Sequence, residues 1–339
     1  MPVGAYAVAS DTGRRRRRNE DNYVVAPPLF AVADGMGGAQ AGEVASQLAA
    51  SALEGGDSGA LEGTKGIDEL IQEANRLIYD RASTDPSASG MGTTMTVALV
   101  EGMTVAIGHV GDSRAYVLRE GELEQLTDDH SLVAELVRRG ELSPEEAQVH
   151  PQRSVITRAL GTDPDVDVDT FTLQARDGDV FLLCSDGLTT MVDVETITSL
   201  VERDRNDLHA AARALIKEAN DRGGDDNITA VLFEVRDGEP DDETVEAVAV
   251  PDPEEEDTLH PGEAPVPQLQ LADGDTSIVS LDELRRALAR DGGAAGEGEA
   301  EGEGEGEARA SFGRLLLASL VIVVLAALIV FLVLRGLAR

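Results

Sequence analysis

Residues 29–46 read LFAVADGMGGAQAGEVAS. A short apolar run ends directly on Asp34, a glycine-rich turn follows, and helix-like spacing opens at Gly42. A run of this length bounded by glycines reads as a buried strand, and the stretch after it as a helix. An acid at the mouth of such a strand is held by rigid backbone, in a place where an uncompensated charge is costly. The pattern recurs. VFLLCSDGL (180–188) delivers Asp186, VAIGHVGDSR (105–114) delivers Asp112, and GGDDNITAVLFEV (223–235) places Asp226 just before a strand. NEDNY (19–23) sets Glu20 and Asp21 in front of another.

Working outward, β-branched runs predict strands over 5–9, 23–25, 29–33, 93–100, 104–108, 115–118, 180–184 and 228–235. Helical spacing predicts 42–52, 68–81, 131–139, 194–202 and 208–220. Two strand sets separated by helices give an α+β domain over residues 1–236, with two sheets flanked by helices.

The chain has 339 residues and a formal charge of −36. Residues 1–236 hold 41 acids and 21 bases, whereas residues 237–309 hold 23 acids and only 4 bases. So acidic a surface speaks against a nucleic-acid partner, and the absence of Trp against a base-stacking platform. One cysteine, Cys184, excludes a disulfide scaffold and a cysteine zinc site. Residues 237–314, rich in Gly, Glu and Pro, read as a disordered acidic linker with a short helix near 281–290. Residues 315–334, LLLASLVIVVLAALIVFLVL, carry no charge and match the bilayer's hydrocarbon thickness, about 30 Å at 1.5 Å per residue. They read as a transmembrane helix followed by a short tail, 335–339, with residues 1–236 on the cytoplasmic side of the cell membrane.

Several converging carboxylates need a divalent cation, since like charges otherwise repel and take up protons. Hard oxygen ligands favour magnesium or manganese over zinc. Two such ions can acidify a shared water and aim it at phosphorus, and the Gly35 carbonyl is a further candidate ligand. Arginine is the natural bidentate partner of a phosphoryl group. In the run Arg14 to Arg18, alternation leaves Arg16 and Arg18 equally eligible. Of the histidines, His130 and His150 lie in stretches able to reach the site, and His109 reads as structural.

Together these motifs, with MGTTMTVALV, LTDDHSLVAELVRRG and HPQRSVITRALG, resemble those of the metal-dependent serine/threonine protein phosphatases of type 2C, in a bacterial, membrane-anchored form. The resemblance covers about residues 3–236. It implies a sandwich of two antiparallel sheets with helices outside. It implies that Asp34 bridges two Mn2+ or Mg2+ ions, that the Gly35 carbonyl joins one, and that Asp186 and Asp226 complete the other. Asp112 would hold a third ion, Glu20 and Asp21 would position waters, and Arg16, four residues before Glu20, would bind phosphate. The expected reaction is hydrolysis of phosphoserine or phosphothreonine in proteins by direct attack of a water bridging the metals. Phosphorylated proteins are the expected partners, among them Ser/Thr kinases of the same membrane and their substrates. Residues 129–153 correspond to a flap beside the site. Many eukaryotic members carry His where this chain has Met36, which leaves the general acid unassigned, a metal-bound water being the first candidate. The rival readings are a hydrolase of small phosphate esters and a non-catalytic scaffold.

Overall fold

The computed structural model describes residues 2–37, 41–55, 61–238 and 277–278. In chain order these form β1 (Val3–Asp11), β2 (Asp21–Ala26), β3 (Leu29–Met36), α1 (Ala41–Gly55), α2 (Gly63–Thr84), β4 (Gly92–Thr93), β5 (Met95–Glu101), β6 (Thr104–Val110), β7 (Arg114–Arg119) and β8 (Glu122–Gln125). There follow α3 (Leu132–Arg138), α4 (Pro144–Gln148), β9 (Val155–Ile156), β10 (Asp169–Gln174), β11 (Asp179–Cys184), α5 (Asp186–Thr189), α6 (Val194–Arg203), α7 (Leu208–Asp221), β12 (Ile228–Val235) and β13 (Ser277–Ile278).

Two antiparallel sheets carry the fold. One has the order β1-β12-β11-β7-β8 and the other β10-β6-β5-β3-β2, with β4 on the end of β3. β12 is buried at every position, which its two-residue period explains. Val231, Phe233 and Val235 face the space between the sheets, while Ile228, Ala230 and Leu232 face α6 and α7. β3 divides in the same way, Phe30 and Val32 toward the other sheet and Leu29, Ala31 and Ala33 toward α1 and α2. Phe30 stacks on Phe233 with centroids 4.2 Å apart, and Phe233 on Phe181 at 5.0 Å. These aromatic contacts lock the two sheets face to face.

Side-chain caps fix where helices begin. Asp193 accepts from Thr196 N at 2.8 Å and Asp207 from Ala210 N at 2.9 Å. Ser143 and Glu146 form a reciprocal capping box on α4.

The expected sandwich of two sheets flanked by helices is what forms. The strand predicted over 93–100 is instead split at Thr94, whose N–H turns to the Asp34 carbonyl at 2.9 Å. β10 was not predicted. Its sequence does carry a two-residue period, Phe171 and Leu173 alternating with Thr and Gln, and these two pack half-buried against the cluster between the sheets. The chain divides into two units, residues 1–286 and 287–339, and all described residues belong to the first. Within the stretch read as a disordered linker, β13 pairs in parallel with β9. The rest of that linker, the helix read near 281–290 and the apolar run 315–334 lie outside the described residues. Among those described, no helix is long and apolar enough to cross a membrane.

Candidate active site

The strand ends and loops that carry acids meet at one end of the sandwich. Asp21 opens β2 directly opposite Asp34 on β3. The Asp34 N–H donates to Thr94 Oγ1 at 3.0 Å, and Thr94 Oγ1 lies 2.7 Å from Ser113 Oγ, next to Asp112. One hydroxyl therefore ties the loops of Asp34 and Asp112 together. Asp186 opens α5 right after β11, and Asp226 lies two residues before β12. Asp21 is 6% exposed, and its Oδ2 accepts from Ser185 Oγ at 2.8 Å and Thr229 Oγ1 at 2.7 Å.

Glycine after two of these acids is a packing requirement. A Cβ on Gly35 would lie 2.2 Å from the Gly42 carbonyl and 2.5 Å from that of Glu20, and one on Gly187 would lie 2.0 Å from the Asn227 carbonyl. Only glycine lets these backbones close on each other.

Electrostatics show how crowded the acids are. Burial, reinforced by Asp21, Asp186, Asp226 and Asp112, pushes the Asp34 carboxyl well above its usual range. Burial pushes Asp21 up to about 7 against its bonds to Thr229 and Ser185, and the charge of Asp226 adds to the rise. Asp186 is also pushed up to about 7, by burial and then by Asp226 and Asp21, while a bond to Asp34 and the charge of Arg16 work the other way. Asp112 is raised by burial, Asp186 and Asp129, and lowered by Arg114.

The donor set fits hard divalent cations. Its oxygens are carboxylates, and Oδ1 of Asp21 and of Asp186 are buried with no hydrogen-bond partner among the described residues. Among those residues no three His, Cys, Asp or Glu side chains stand close enough to make a ready ligand set. Like charges gathered in one neighbourhood hold each other apart until a cation screens them.

Of the two eligible arginines, Arg16 donates from Nη2 to Asp226 Oδ2 at 2.9 Å, whereas Arg18 reaches Glu43 at 3.4 Å on the exposed face. The Glu20 carbonyl accepts from Gly35 N at 3.1 Å and from Ser46 Oγ at 2.5 Å, tying that residue to the end of β3 and to α1. Asn227 had no role in the sequence reading. Its Nδ2 donates to the carbonyls of Thr12 and Arg18 at 2.9 and 2.8 Å, and its Oδ1 accepts from Glu20 N at 2.8 Å. It clamps both ends of the arginine loop. The only signal was an amide beside an acid at a strand start.

His109 is structural, fully buried, with Nδ1 2.9 Å from Thr96 Oγ1 and Nε2 3.1 Å from the Asp128 carbonyl. The Gly111 N–H donates to His130 Nδ1 at 3.0 Å, and His130 N–H donates to the Gly111 carbonyl at 2.7 Å. Its Nε2 lies 2.9 Å from Arg158 Nη1 and 3.1 Å from Asp169 Oδ2. His130 thus holds the turn before Asp112. The His150 ring accepts from Gln152 N at 3.2 Å through Nδ1, and its backbone bonds to Ala147 and Arg153. Met36 is buried with Ile156 and Ala159, at the base of the flap. A cleft of about 860 Å3 runs from Asp112 and Asp186 past α3 and α4, lined on the flap side by Arg138, Arg153 and Ser154.

A family model described as Protein phosphatase 2C matches residues 15–232. The chain is 43% identical over 236 residues to the Serine/threonine phosphatase stp of Listeria welshimeri, covering 66% of this chain and 93% of that protein. It is 43% identical over 239 residues to the Serine/threonine protein phosphatase PstP of Mycobacterium tuberculosis, covering 68% of this chain and 45% of that one. Among solved structures, the catalytic domain of PstP in complex with two manganese ions superposes with a TM-score of 0.64 at 40% identity, over 69% of this chain and 98% of that one.

Proposed function

This chain belongs to the protein phosphatase 2C family and is a metal-dependent serine/threonine protein phosphatase, and we propose that the acids and arginine gathered at the end of the sandwich carry that activity. Asp34 would be shared by two ions, with the Gly35 carbonyl on one and Asp186 and Asp226 on the other, and Asp112 would serve a third. Bound Mn2+ or Mg2+ supplies Lewis-acid polarisation of the phosphoryl oxygens and lowers the pKa of the attacking water.

The chain's own residues bind and orient. Arg16 presents a planar fork of N–H donors that matches phosphoryl oxygens and stabilises charge gathering on them as the ester opens. Turning toward phosphate, it leaves Asp226 to a cation. Asp21, fixed by Ser185 and Thr229, and Glu20, fixed through its backbone by Asn227, orient water. Cys184 supplies no nucleophile, because it is buried and its thiol is pushed up to about 12. Met36 has no proton to give, and it packs against the flap base rather than serving the leaving alkoxide.

The observation that carries this reading is the crowding of Asp21, Asp112, Asp186 and Asp226 around Asp34. Its test is hydrolysis of a phosphothreonine peptide by the purified protein in Mn2+. The Asp34→Asn variant is expected to lose activity by roughly a thousandfold or more, since a shared ligand serves both ions. Manganese-supported turnover that survives the substitution overturns the role given to Asp34.

The domain limits 1–236, 237–314, 315–334 and 335–339 follow from composition, and the run between Arg314 and Arg335 supports a membrane span. Such a tether would hold the catalytic domain at the cytoplasmic face beside phosphorylated Ser/Thr kinases and their substrates, at raised effective concentration.

A further inference from the structure

Strand β9 stands apart from the two sheets, and both of its edges are in use. Ser131, which caps α3, bridges antiparallel to Ile156 on one side. On the other side β13 runs parallel, with Ser277 opposite Val155 and Ile278 opposite Ile156. The ladders of the two sheets are all antiparallel and internal to residues 3–235. This partner instead comes from within the acidic stretch that follows the domain.

The sequence there suits the part. Residues 276–280 read TSIVS, an uncharged run with three β-branched residues between LADGD and LDEL. Such residues favour extended backbone, and strand addition binds through main-chain groups, asking little of side chains. The position matters as well. Arg153 and Ser154 line the cleft and lead straight into Val155. Ile156 packs on Met36, two residues past Asp34. A strand laid on β9 therefore pairs with backbone that continues directly from the cleft lining at Arg153 and Ser154.

We propose that the outer edge of β9 is a strand-docking surface, that this chain's own segment at Ser277–Ile278 occupies it in cis, and that an extended phosphopeptide must displace that segment to enter the cleft. A ladder this short is weak alone, but attachment to the same chain raises its effective concentration. The result is a displaceable strap that filters peptides and leaves small esters unaffected. The strap rests on the protein-phosphatase reading only through its activity assay.

The test uses the full chain in detergent and the double variant Ser277→Pro/Ile278→Pro, which removes the backbone N–H at both positions and touches no residue of the domain. Ala294→Pro/Ala295→Pro is the control. Amide exchange at Ile156 is expected to quicken in the first variant and not in the second, whereas Val155, whose N–H donates to the Gln152 carbonyl at 3.2 Å, serves as an internal reference. KM for a phosphothreonine peptide should fall about threefold, as expected when a weak intramolecular competitor is lost, with turnover of p-nitrophenyl phosphate unchanged. Unaltered exchange at Ile156 overturns the docking. Faster exchange with an unchanged peptide KM overturns the competition. A protein inactive on every substrate would count against the phosphatase reading instead, and exchange would still decide the docking.

Discussion

Arg16 and Asp226 lie 2.9 Å apart in a partly exposed ion pair, although one is expected to serve phosphate and the other a metal. Their pairing makes chemical sense, because each offers the charge that the other's ligand would bring. Replacing Arg16 with Ala should therefore separate two functions. KM for a phosphothreonine peptide is expected to rise roughly tenfold to a hundredfold, as a charge-assisted bidentate contact is lost. Calorimetric Mn2+ affinity should hold or rise slightly, since Asp226 loses its competitor. A fall in Mn2+ affinity as large as the rise in KM would place Arg16 in the metal site instead. The acids themselves were legible because each sits at one end of an apolar run, and a charge at the end of a buried strand has few structural reasons to be there. Asn227 was not legible. It acts on Thr12, Arg18 and Glu20, all more than two hundred positions away in the chain, and nothing local distinguishes it from an amide that begins a strand.

β12 was predicted with its full bounds because both its faces are covered, so every residue is apolar or small apart from Thr229 and Glu234. β10 carries an alternation of Phe171 and Leu173 with polar residues that went unread, whereas α4 in the flap and β9 just after it are too short for periodicity to speak. What pattern does not show is how closely elements approach. Gly108 in β6 lies under α2, and a Cβ there would sit 2.2 Å from Ile67 Cγ2 and 2.8 Å from Ile71 Cδ1. Both isoleucines are fully buried in the cluster formed by α1, α2 and the second sheet, so neither side chain has room to retreat. Gly108→Ala is expected to destabilise the domain by about 1–3 kcal/mol, the usual cost of overpacking, measurable as a lowered urea midpoint at unchanged slope. Stability at or above wild type would mean that α2 can lift from the sheet. Because β6 leads directly to Asp112, the same variant should also weaken Mn2+ binding modestly.

At the scale of the whole molecule, the formal charge of −36 hides the few acids that matter to stability, those buried at the end of the sandwich. Burial pushes Asp21 and Asp186 to about 7 and raises Asp34 and Asp112 well above the ordinary 3.8. Unfolding releases them to ordinary values, so between about pH 4 and 7 the folded metal-free protein holds more protons than the unfolded chain. Stability must then fall as pH rises through that window, because it increases with pH only where the unfolded state binds more protons. The penalty is absent below the unfolded value near 4 and grows as pH rises through the folded values, about 7 for Asp21 and Asp186. Divalent cations should reverse the trend, since they bind the ionised carboxylates and stabilise only the folded chain, by about 2.7 kcal/mol at a hundred times Kd. Melting temperature in EDTA is therefore expected to drop by several degrees between pH 5.5 and 7.5, and in Mn2+ to rise over the same interval. General repulsion between surface acids acts in the same direction, and Asp34→Asn tells the two apart. Removing the carboxyl at the centre of the cluster should shrink the fall seen in EDTA, whereas repulsion spread over the surface would leave it almost unchanged.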